Sequence, residues 1–460
     1  MKIENDQEYE EDVPSDNGSK YIFFPILLEL LLTGILFMKG WDIGIHFLYA
    51  LIPLLLGTSF IGTYLYNRDG DMKIFSSFAI LASIGTALQI VIDEQYHPSS
   101  TFSLVKLIIG IGIAILAIAM YKLFRKILNQ SLTCYLLIGL SAAIYLVLIF
   151  KGYDPNGYGT SAWLKIGPMT IQLTDFTKLI AIMFYAALFS SEISRSDTQI
   201  LIISSIFFFV NLVGSVCIKE LGSFFILLFL HLSILYIFMR KGKVKRTYLL
   251  IIFFSIFGAV AIAFLLYRLI LPAHDAGTMN GLQAALWPIL NKVHQRFSVT
   301  ANIYADPYGA GYQLLQGRKA LRMAGLFGNT VNFTAIPVAE SDMAFVALVN
   351  SFGWIFGIFT IYHIFRIMQH GCELSHKLVK SNLQDAIVVY GATFLIFLQA
   401  MIVILGSCNI IPFTGLPIPF LSRGGTYMAI IFSFAGILMH LSEYNGEKVV
   451  EEEYYDAEQE

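Results

Sequence analysis

The stretch Ala305-Asp-Pro-Tyr-Gly-Ala-Gly-Tyr-Gln313 sets one carboxylate in a turn and follows it with groups that suit a sugar. Asp-Pro opens a turn, and two glycines let the backbone bend tightly. Tyr308, Tyr312 and Gln313 offer ring faces and an amide, and Gln316 follows three residues on. Nearby Arg296, Arg318, Lys319 and Arg322 predict a cationic ring able to hold phosphate oxygens. Cations around a carboxylate favour its ionised form, as a base or a metal ligand requires. An ordinary Asx turn carries the same letters, so the four cations are what point to chemistry at Asp306.

Three other places carry polar groups where they are costly. Asp175 and Lys178, in Gln172-Leu-Thr-Asp-Phe-Thr-Lys178, are three apart and predict a pair on one helix face at the start of an apolar run. Ionisable groups inside a span cost about 2.5–3.5 kcal/mol by insertion scales, so they mark function or mutual neutralisation. Glu220, in Lys219-Glu-Leu-Gly-Ser223, heads another apolar run, where a helix N-terminus favours a carboxylate. Finally, Ile411-Pro-Phe-Thr-Gly-Leu-Pro-Ile-Pro-Phe-Leu-Ser-Arg-Gly-Gly-Thr426 cannot continue a regular helix. Irregular backbone at membrane depth must be buried in protein or line a wet cavity, and Ser422 and Arg423 are expected to line it.

The elements that position these groups are membrane helices. Hydrophobic residues make up 57% of the chain and charged residues 13%, with a mean hydropathy of +0.69. A soluble chain carries about 25% charged residues, so this one must be solvated largely by lipid. Apolar runs predict an all-α, polytopic bundle of about twelve spans: 21–39, 43–66, 73–92, 102–121, 132–150, 174–191, 199–218, 221–239, 247–271, 343–367, 385–406 and 417–441. Four scattered cysteines without C-x-x-C spacing indicate neither a metal site nor a disulfide framework. The acidic N-terminus has no basic n-region, so no cleaved signal peptide is expected.

Lysine and arginine predict the orientation. They concentrate in alternate connections: Arg68 and Lys73; Lys122, Arg125 and Lys126; Arg195; Arg240, Lys241, Lys243, Lys245 and Arg246; Arg366, Lys377 and Lys380. Both termini are then cytoplasmic, and residues 151–173 and 272–342 are long external connections. Residues 1–20 and 443–460 are acidic tails, leaving 27 basic and 17 acidic residues between them, a balance suited to anionic lipids. The expected organisation is an acidic tail (1–20), two leading spans (21–66), a core (67–442) and a second acidic tail (443–460).

These motifs resemble the SEDS family (shape, elongation, division and sporulation; the RodA, FtsW and SpoVE group). The resemblance runs from about Lys73 to Leu441. Gly159 to Trp163, followed by Gln172 to Lys178, is similar to the family's G-x-x-x-W…Q-P-S-E-F-x-K block, and Lys219 to Ser223 to its P-D-L-G-T. Asp306 to Gln316 reproduces D-P-x-G-x-G-Y-Q-x-x-Q, and Ala320 to Gly328 the glycine-rich segment after it. Pro412, Gly415, Pro417, Pro419, Phe420, Ser422, Gly424 and Gly425 match the terminal P-x-x-G-x-P-x-P-F-x-S-x-G-G. Departures include Ala162 before Trp163, Asn350 and Ser351 where acidic residues are usual, and Val403 for an asparagine. The family's usual ten spans follow the two leading ones.

The resemblance implies a peptidoglycan glycosyltransferase of the bacterial cytoplasmic membrane that polymerises lipid II on the outer face with a class B penicillin-binding protein. Asp306 occupies the position of the family's essential carboxylate and would be the general base. Arg296, Arg318, Lys319 and a divalent cation (Mg²⁺ or Mn²⁺) are candidates for offsetting pyrophosphate charge. No other cofactor and no nucleic acid is implied. A lipid-linked precursor flippase and a non-catalytic division or elongation scaffold stand as alternatives.

Overall fold

The computed structural model describes residues 18–96, 102–154, 160–167, 169–190, 195–239, 243–329, 336–423 and 425–443. Most of both acidic tails, and Gly159, Arg240, Lys241 and Gly424, lie outside the described residues. The helices in chain order are α1 (Lys20–Lys39), α2 (Trp41–Tyr66), α3 (Met72–Tyr96), α4 (Phe102–Leu128) and α5 (Ser131–Lys151). A hairpin of β1 (Trp163–Ile166) and β2 (Met169–Gln172) follows, then α6 (Thr174–Leu188), α7 (Asp197–Cys217), α8 (Gly222–Phe238) and α9 (Lys243–Asp275). The chain ends with α10 (Gly281–Ala301), α11 (Tyr312–Met323), α12 (Ala344–Ser381), α13 (Leu383–Ser407) and α14 (Gly425–Ser442).

Each of the twelve expected apolar runs forms a helix. Among the described residues, ten are long and apolar enough to cross a membrane. The other two, α6 with 15 residues and α8 with 17, are short. Short helices at membrane depth are tolerable where protein covers their ends, and α6 buries nearly every side chain. The most buried of these ten spans is α3, whose apolar window is 89% buried and which packs against α1, α2, α4 and α12. By contrast the window of α9 is 0% buried, so that helix presents its phenylalanines outward.

Three features depart from the expected spans. The run beginning at 417 is not helical until Gly425; Leu416 to Ser422 is irregular and buried. The long connection is not structureless, because α10 and α11 lie within it. Asn280 starts α10 as a capping box, accepting from the Gln283 amide at 2.9 Å while Gln283 accepts from the Asn280 amide at 3.0 Å. The hairpin pairs Trp163 with Gln172 and Ile166 with Met169, which brings the two ends of the first motif side by side.

The irregular segment is built by close approach. The end of α13 is a Schellman turn with Asn409 at φ +59°, and the Ile410 amide donates to the Leu405 carbonyl at 2.9 Å. Phe420, also left-handed at φ +63°, presses its carbonyl onto α3 where Gly85 leaves room; a Cβ there would lie 2.1 Å from that oxygen. Gln89 on α3 donates to the Leu421 carbonyl at 2.6 Å and Gln399 on α13 to the Pro417 carbonyl at 2.8 Å. Side-chain amides thus replace the missing helical ladder, as buried backbone requires.

Candidate active site

A cavity of about 540 Å³ opens where α6, α8 and α14 begin, walled by the hairpin, α10, the start of α11 and the loop before α12. It gathers Gln172 and Asp175 from one sequence motif, Glu220 from a second and Gln313 from a third, together with Arg296.

Local geometry explains each position. Asp175 lies in the first turn of α6, and Lys178 one turn on, as their spacing predicts. They are 1% and 0% exposed, with the ammonium 2.8 Å from Asp175 Oδ1 and 3.0 Å from Gln399 Oε1. Asp175 therefore reaches the cavity wall while Lys178 is sealed beneath it, 5.2 Å from the Tyr427 ring centre. Glu220 arrives through a Schellman turn at the end of α7: Lys219 is left-handed at φ +58°, and the Glu220 amide donates to the Ser215 carbonyl at 2.9 Å. The Glu220 carboxylate then accepts the Ser223 amide at 3.1 Å, capping α8 as the dipole argument anticipates.

The cationic wall is α10. Arg296 donates to the Thr414 carbonyl of the irregular segment at 3.3 Å. Burial pushes its guanidinium below the ordinary value, while Glu220 and Asp342 act in the opposite direction. Lys292, one turn earlier on the same face, also lines the cavity, and burial with the Arg296 charge lowers it to about 8. Opposite them stand Glu340 and Asp342. Burial raises the Asp342 carboxyl, Ser341 donates to its Oδ1 at 2.8 Å, and Gly415 packs near its Oδ2.

Asp306 does not itself line the cavity but belongs to the turn at its edge. It is exposed, and its carboxylate accepts the Gly309 amide at 2.9 Å and the Ala310 amide at 2.8 Å, so it ties its own turn. That turn feeds directly into the wall, since Ala310, Gln313 and Leu314 line the cavity. A Cβ on Gly309 would fall 2.3 Å from Asp306 Oδ2, which explains the glycine there.

Other expected residues sit elsewhere. Arg318, Lys319 and Arg322 are exposed on α11 and do not line the cavity, nor do Tyr312, Gln316 and the 92% exposed Tyr308. Of the four expected cations only Arg296 does. Ser422 and Arg423 also fail to line it, contrary to expectation. Ser422 donates to the Ser341 carbonyl at 2.7 Å and accepts the Ile418 amide, and Arg423 pairs with Asp93 at 2.7 Å. Both fix the irregular segment instead of offering groups to a ligand, because its polar atoms are consumed internally. Lys292, Glu340 and Asp342 were not expected. The i, i+4 spacing of Lys292 and Arg296 on a capped helix was the available signal for the first. Among the described residues no group of three or more His, Cys, Asp or Glu side chains is arranged to hold a metal ion.

The FtsW/RodA/SpoVE cell cycle protein family matches residues 72–447. Stage V sporulation protein E of Bacillus subtilis (strain 168) is 24% identical over 83% of this chain and 95% of its own length. The peptidoglycan glycosyltransferase RodA of Mycobacterium tuberculosis (strain ATCC 25618 / H37Rv) is 22% identical over 76% of this chain and 72% of its own. A chain from a peptidoglycan synthase complex that coordinates polymerization and crosslinking superposes with a TM-score of 0.60 at 16% identity, covering 82% of this chain and 99% of that one. The rod shape determining protein RodA of Thermus thermophilus gives 0.52 at 15%, covering 82% and 98%. At such identities the structural likeness carries the fold.

Proposed function

This chain belongs to the FtsW/RodA/SpoVE cell cycle protein family, a multi-pass protein of the cytoplasmic membrane, and on that premise we propose that it is a peptidoglycan glycosyltransferase polymerising lipid II. The observation that carries the proposal is the cavity itself. Residues from four of the five family-like blocks line it, all but Ala320 to Gly328, and it brings Arg296 and Lys292 together with hydrogen-bonding carboxylates and amides.

The reaction is a single displacement. An acceptor sugar hydroxyl bonds to the anomeric carbon of a polyprenyl-pyrophosphate-linked donor as the bond to pyrophosphate breaks. The hydroxyl proton passes to Asp306, and the electron pair leaves with the pyrophosphate. General base catalysis of this kind contributes about 10²–10⁴-fold. Arg296 and Lys292 offset the departing charge, Arg296 through a planar fork suited to phosphate. One base with no enzyme nucleophile inverts the anomeric centre. Gln313 donates to and accepts from sugar hydroxyls, and Glu220 and Asp175 accept from them. Arg318 and Lys319, exposed beside the Asp306 turn, meet the incoming substrate before it enters. No step is routed through a divalent ion.

Both termini are assigned to the cytoplasm, which puts the cavity outside. Residues 67–442 are assigned as the catalytic core, and α1 and α2 as an addition to it. The partner is a class B penicillin-binding protein, whose transpeptidase crosslinks the nascent strand. Transport is the weaker reading. It needs a path between faces, whereas the two ends of α14 line separate cavities with buried Ile430, Ile431, Phe434 and Leu438 between them.

The test is to purify the chain with its transpeptidase partner, supply lipid II and resolve glycan ladders. Wild type should give polymer, and Asp306→Ala and Asp306→Asn none, with both variants folded. Equal ladders from wild type and variants would remove Asp306 as base. No ladder from any of them, with lipid scrambled across vesicles, would replace the polymerase with a transporter.

A further inference from the structure

At the other end of α14 lie two cavities that share Lys122 and His440 as a common wall. One, of about 360 Å³, is polar and lined by Lys122, Arg125 and Lys126 from the end of α4 with Asn129, Asn382 and Gln384. The other, of about 650 Å³, is an apolar groove between α2, α4 and α14, backed by Phe75 and Phe78 of α3. Neither touches the catalytic cavity, and α2 lies outside the family match.

The polar cavity holds donors in excess of acceptors. Gln384 is 3% exposed, and its Nε2 has no hydrogen-bond partner among the described residues. A buried donor in that state costs free energy until an acceptor arrives. Arg125 is committed to Asp385 at 2.6 Å, and Asp385 also accepts from the Tyr121 hydroxyl at 2.6 Å. Lys122 and Lys126 are exposed at the rim, and among the described residues neither makes an ion pair. Three cations thus face two carboxylates, Asp385, already paired with Arg125, and Glu443, which Arg68 and Lys122 both approach.

The groove continues from that rim. Leu107, Ile111, Ala114, Ile118 and Lys122 recur every three or four residues and mark one face of α4. The face runs ~22 Å, longer than the roughly 15 Å hydrocarbon depth of one leaflet. Glu443, at its polar end, lies 3.9 Å from Arg68 and 3.8 Å from His440.

We propose that these joined cavities bind one anionic glycerophospholipid, with its phosphate at Lys122, Lys126 and Gln384 and an acyl chain along α4. Charge decides the occupant. A zwitterionic lipid brings its own cation to a site already rich in them, and a free phosphate leaves the apolar groove unfilled. In the orientation proposed above this face is cytoplasmic, so the lipid comes from the inner leaflet. The proposal stands independently of the polymerase reading.

The test uses the full chain in mild detergent, titrated with phosphatidylglycerol or with phosphatidylcholine of the same acyl chains and read by native mass spectrometry. One phosphatidylglycerol should be retained with roughly tenfold preference or more, and Lys122→Gln with Lys126→Gln should weaken it roughly thirtyfold, as expected for two lysines near an anionic surface. Both lysines are exposed, so this variant keeps its fold. Gly57→Phe should also release the lipid with the cations intact, because a Cβ at Gly57 meets only Ile111, at 3.7 Å, and its ring fills the groove. Equal retention of the two lipids overturns the proposal. So does displacement by inorganic phosphate with Gly57→Phe binding unchanged, which would mean an anion site without a chain. If Gly57→Phe fails to fold, the lysine variant decides.

Discussion

Replacing Lys178 with methionine should damage the protein more than replacing Lys178 and Asp175 together. The two side chains are 0% and 1% exposed, 2.8 Å apart, and the ammonium also binds Gln399 Oε1 at 3.0 Å. Asp175 Oδ2 already has no hydrogen-bond partner among the described residues. Methionine fills the lysine's volume but leaves a buried carboxylate with no counter-charge, which costs about 3–5 kcal/mol. It also strips Gln399, which holds the Pro417 carbonyl at 2.8 Å, of one of its two anchors. Asp175→Asn with Lys178→Met removes both charges and should fall within about 1 kcal/mol of wild type, since replacing a whole buried pair is often neutral. Thermal unfolding in detergent reads the difference, with an expected fall in Tm for the single variant on the order of 5 °C. A neutral single variant, or a double variant as unstable as the single, would refute the idea that this pair is held by mutual neutralisation. The double variant also separates fold from chemistry: if Asp175 contacts substrate, it folds but polymerises less.

Gly85→Ala should abolish polymerisation while leaving the chain membrane-inserted, because the new Cβ lies 2.1 Å from the Phe420 carbonyl and must displace the irregular segment; wild-type ladders from this variant would show that the segment yields without consequence. Lys292 titrates at about 8 and is charged below that pH. If it holds pyrophosphate, kcat/KM should fall as pH rises through about 8, and Lys292→Arg, which stays charged, should carry activity to higher pH; an identical alkaline limb in both proteins would exclude the role. Glu29, fully buried in α1, accepts from Thr58 at 2.8 Å and Ser83 at 3.0 Å. Glu29→Gln keeps an acceptor for both and should leave Tm unchanged, whereas Glu29→Leu strands the Thr58 hydroxyl, Ser83 having the Ala79 carbonyl at 2.9 Å as a second acceptor, and should lower it, by about 1–3 kcal/mol of stability; equal Tm values for the two would contradict the bonds.

Legibility tracked how much each element depends on its own residues. The spans were plain because twenty apolar residues have one stable solution in lipid. The hairpin was missed because four-residue strands carry too little alternation to be distinguished from loop. Helix α10 was missed although its Asn280–Gln283 capping box was readable, because its apolar content is low for a chain otherwise so hydrophobic. In the site, Asp175, Glu220 and Arg296 were found because charge is rare in such a sequence. Glu340 and Asp342 escaped because a carboxylate in a long polar connection looks ordinary until the fold places it against Gly415 and Arg296. Ser422 and Arg423 were misread for a related reason. Polar side chains in an irregular buried segment are needed first by the segment's own backbone, and only the surplus is left for a ligand.

The short length of α6 and α8 belongs to the same logic. A helix that spans fully ends in water, where its first four amide N–H groups are solvated. By starting late, at Thr174 and Gly222, these two helices set their N-termini at the cavity, and α14 does the same at Gly425. Three positive dipole ends then face a space whose lining otherwise holds four carboxylates and only two cations. Two of the carboxylates, Asp175 and Glu220, have their charge offset locally, one by Lys178 and one by the α8 cap. What remains for a ligand is a field more positive than the residue count suggests, with Arg296 and Lys292 at its centre. A pyrophosphate suits that field, and lengthening α6 or α8 to a full span would remove it.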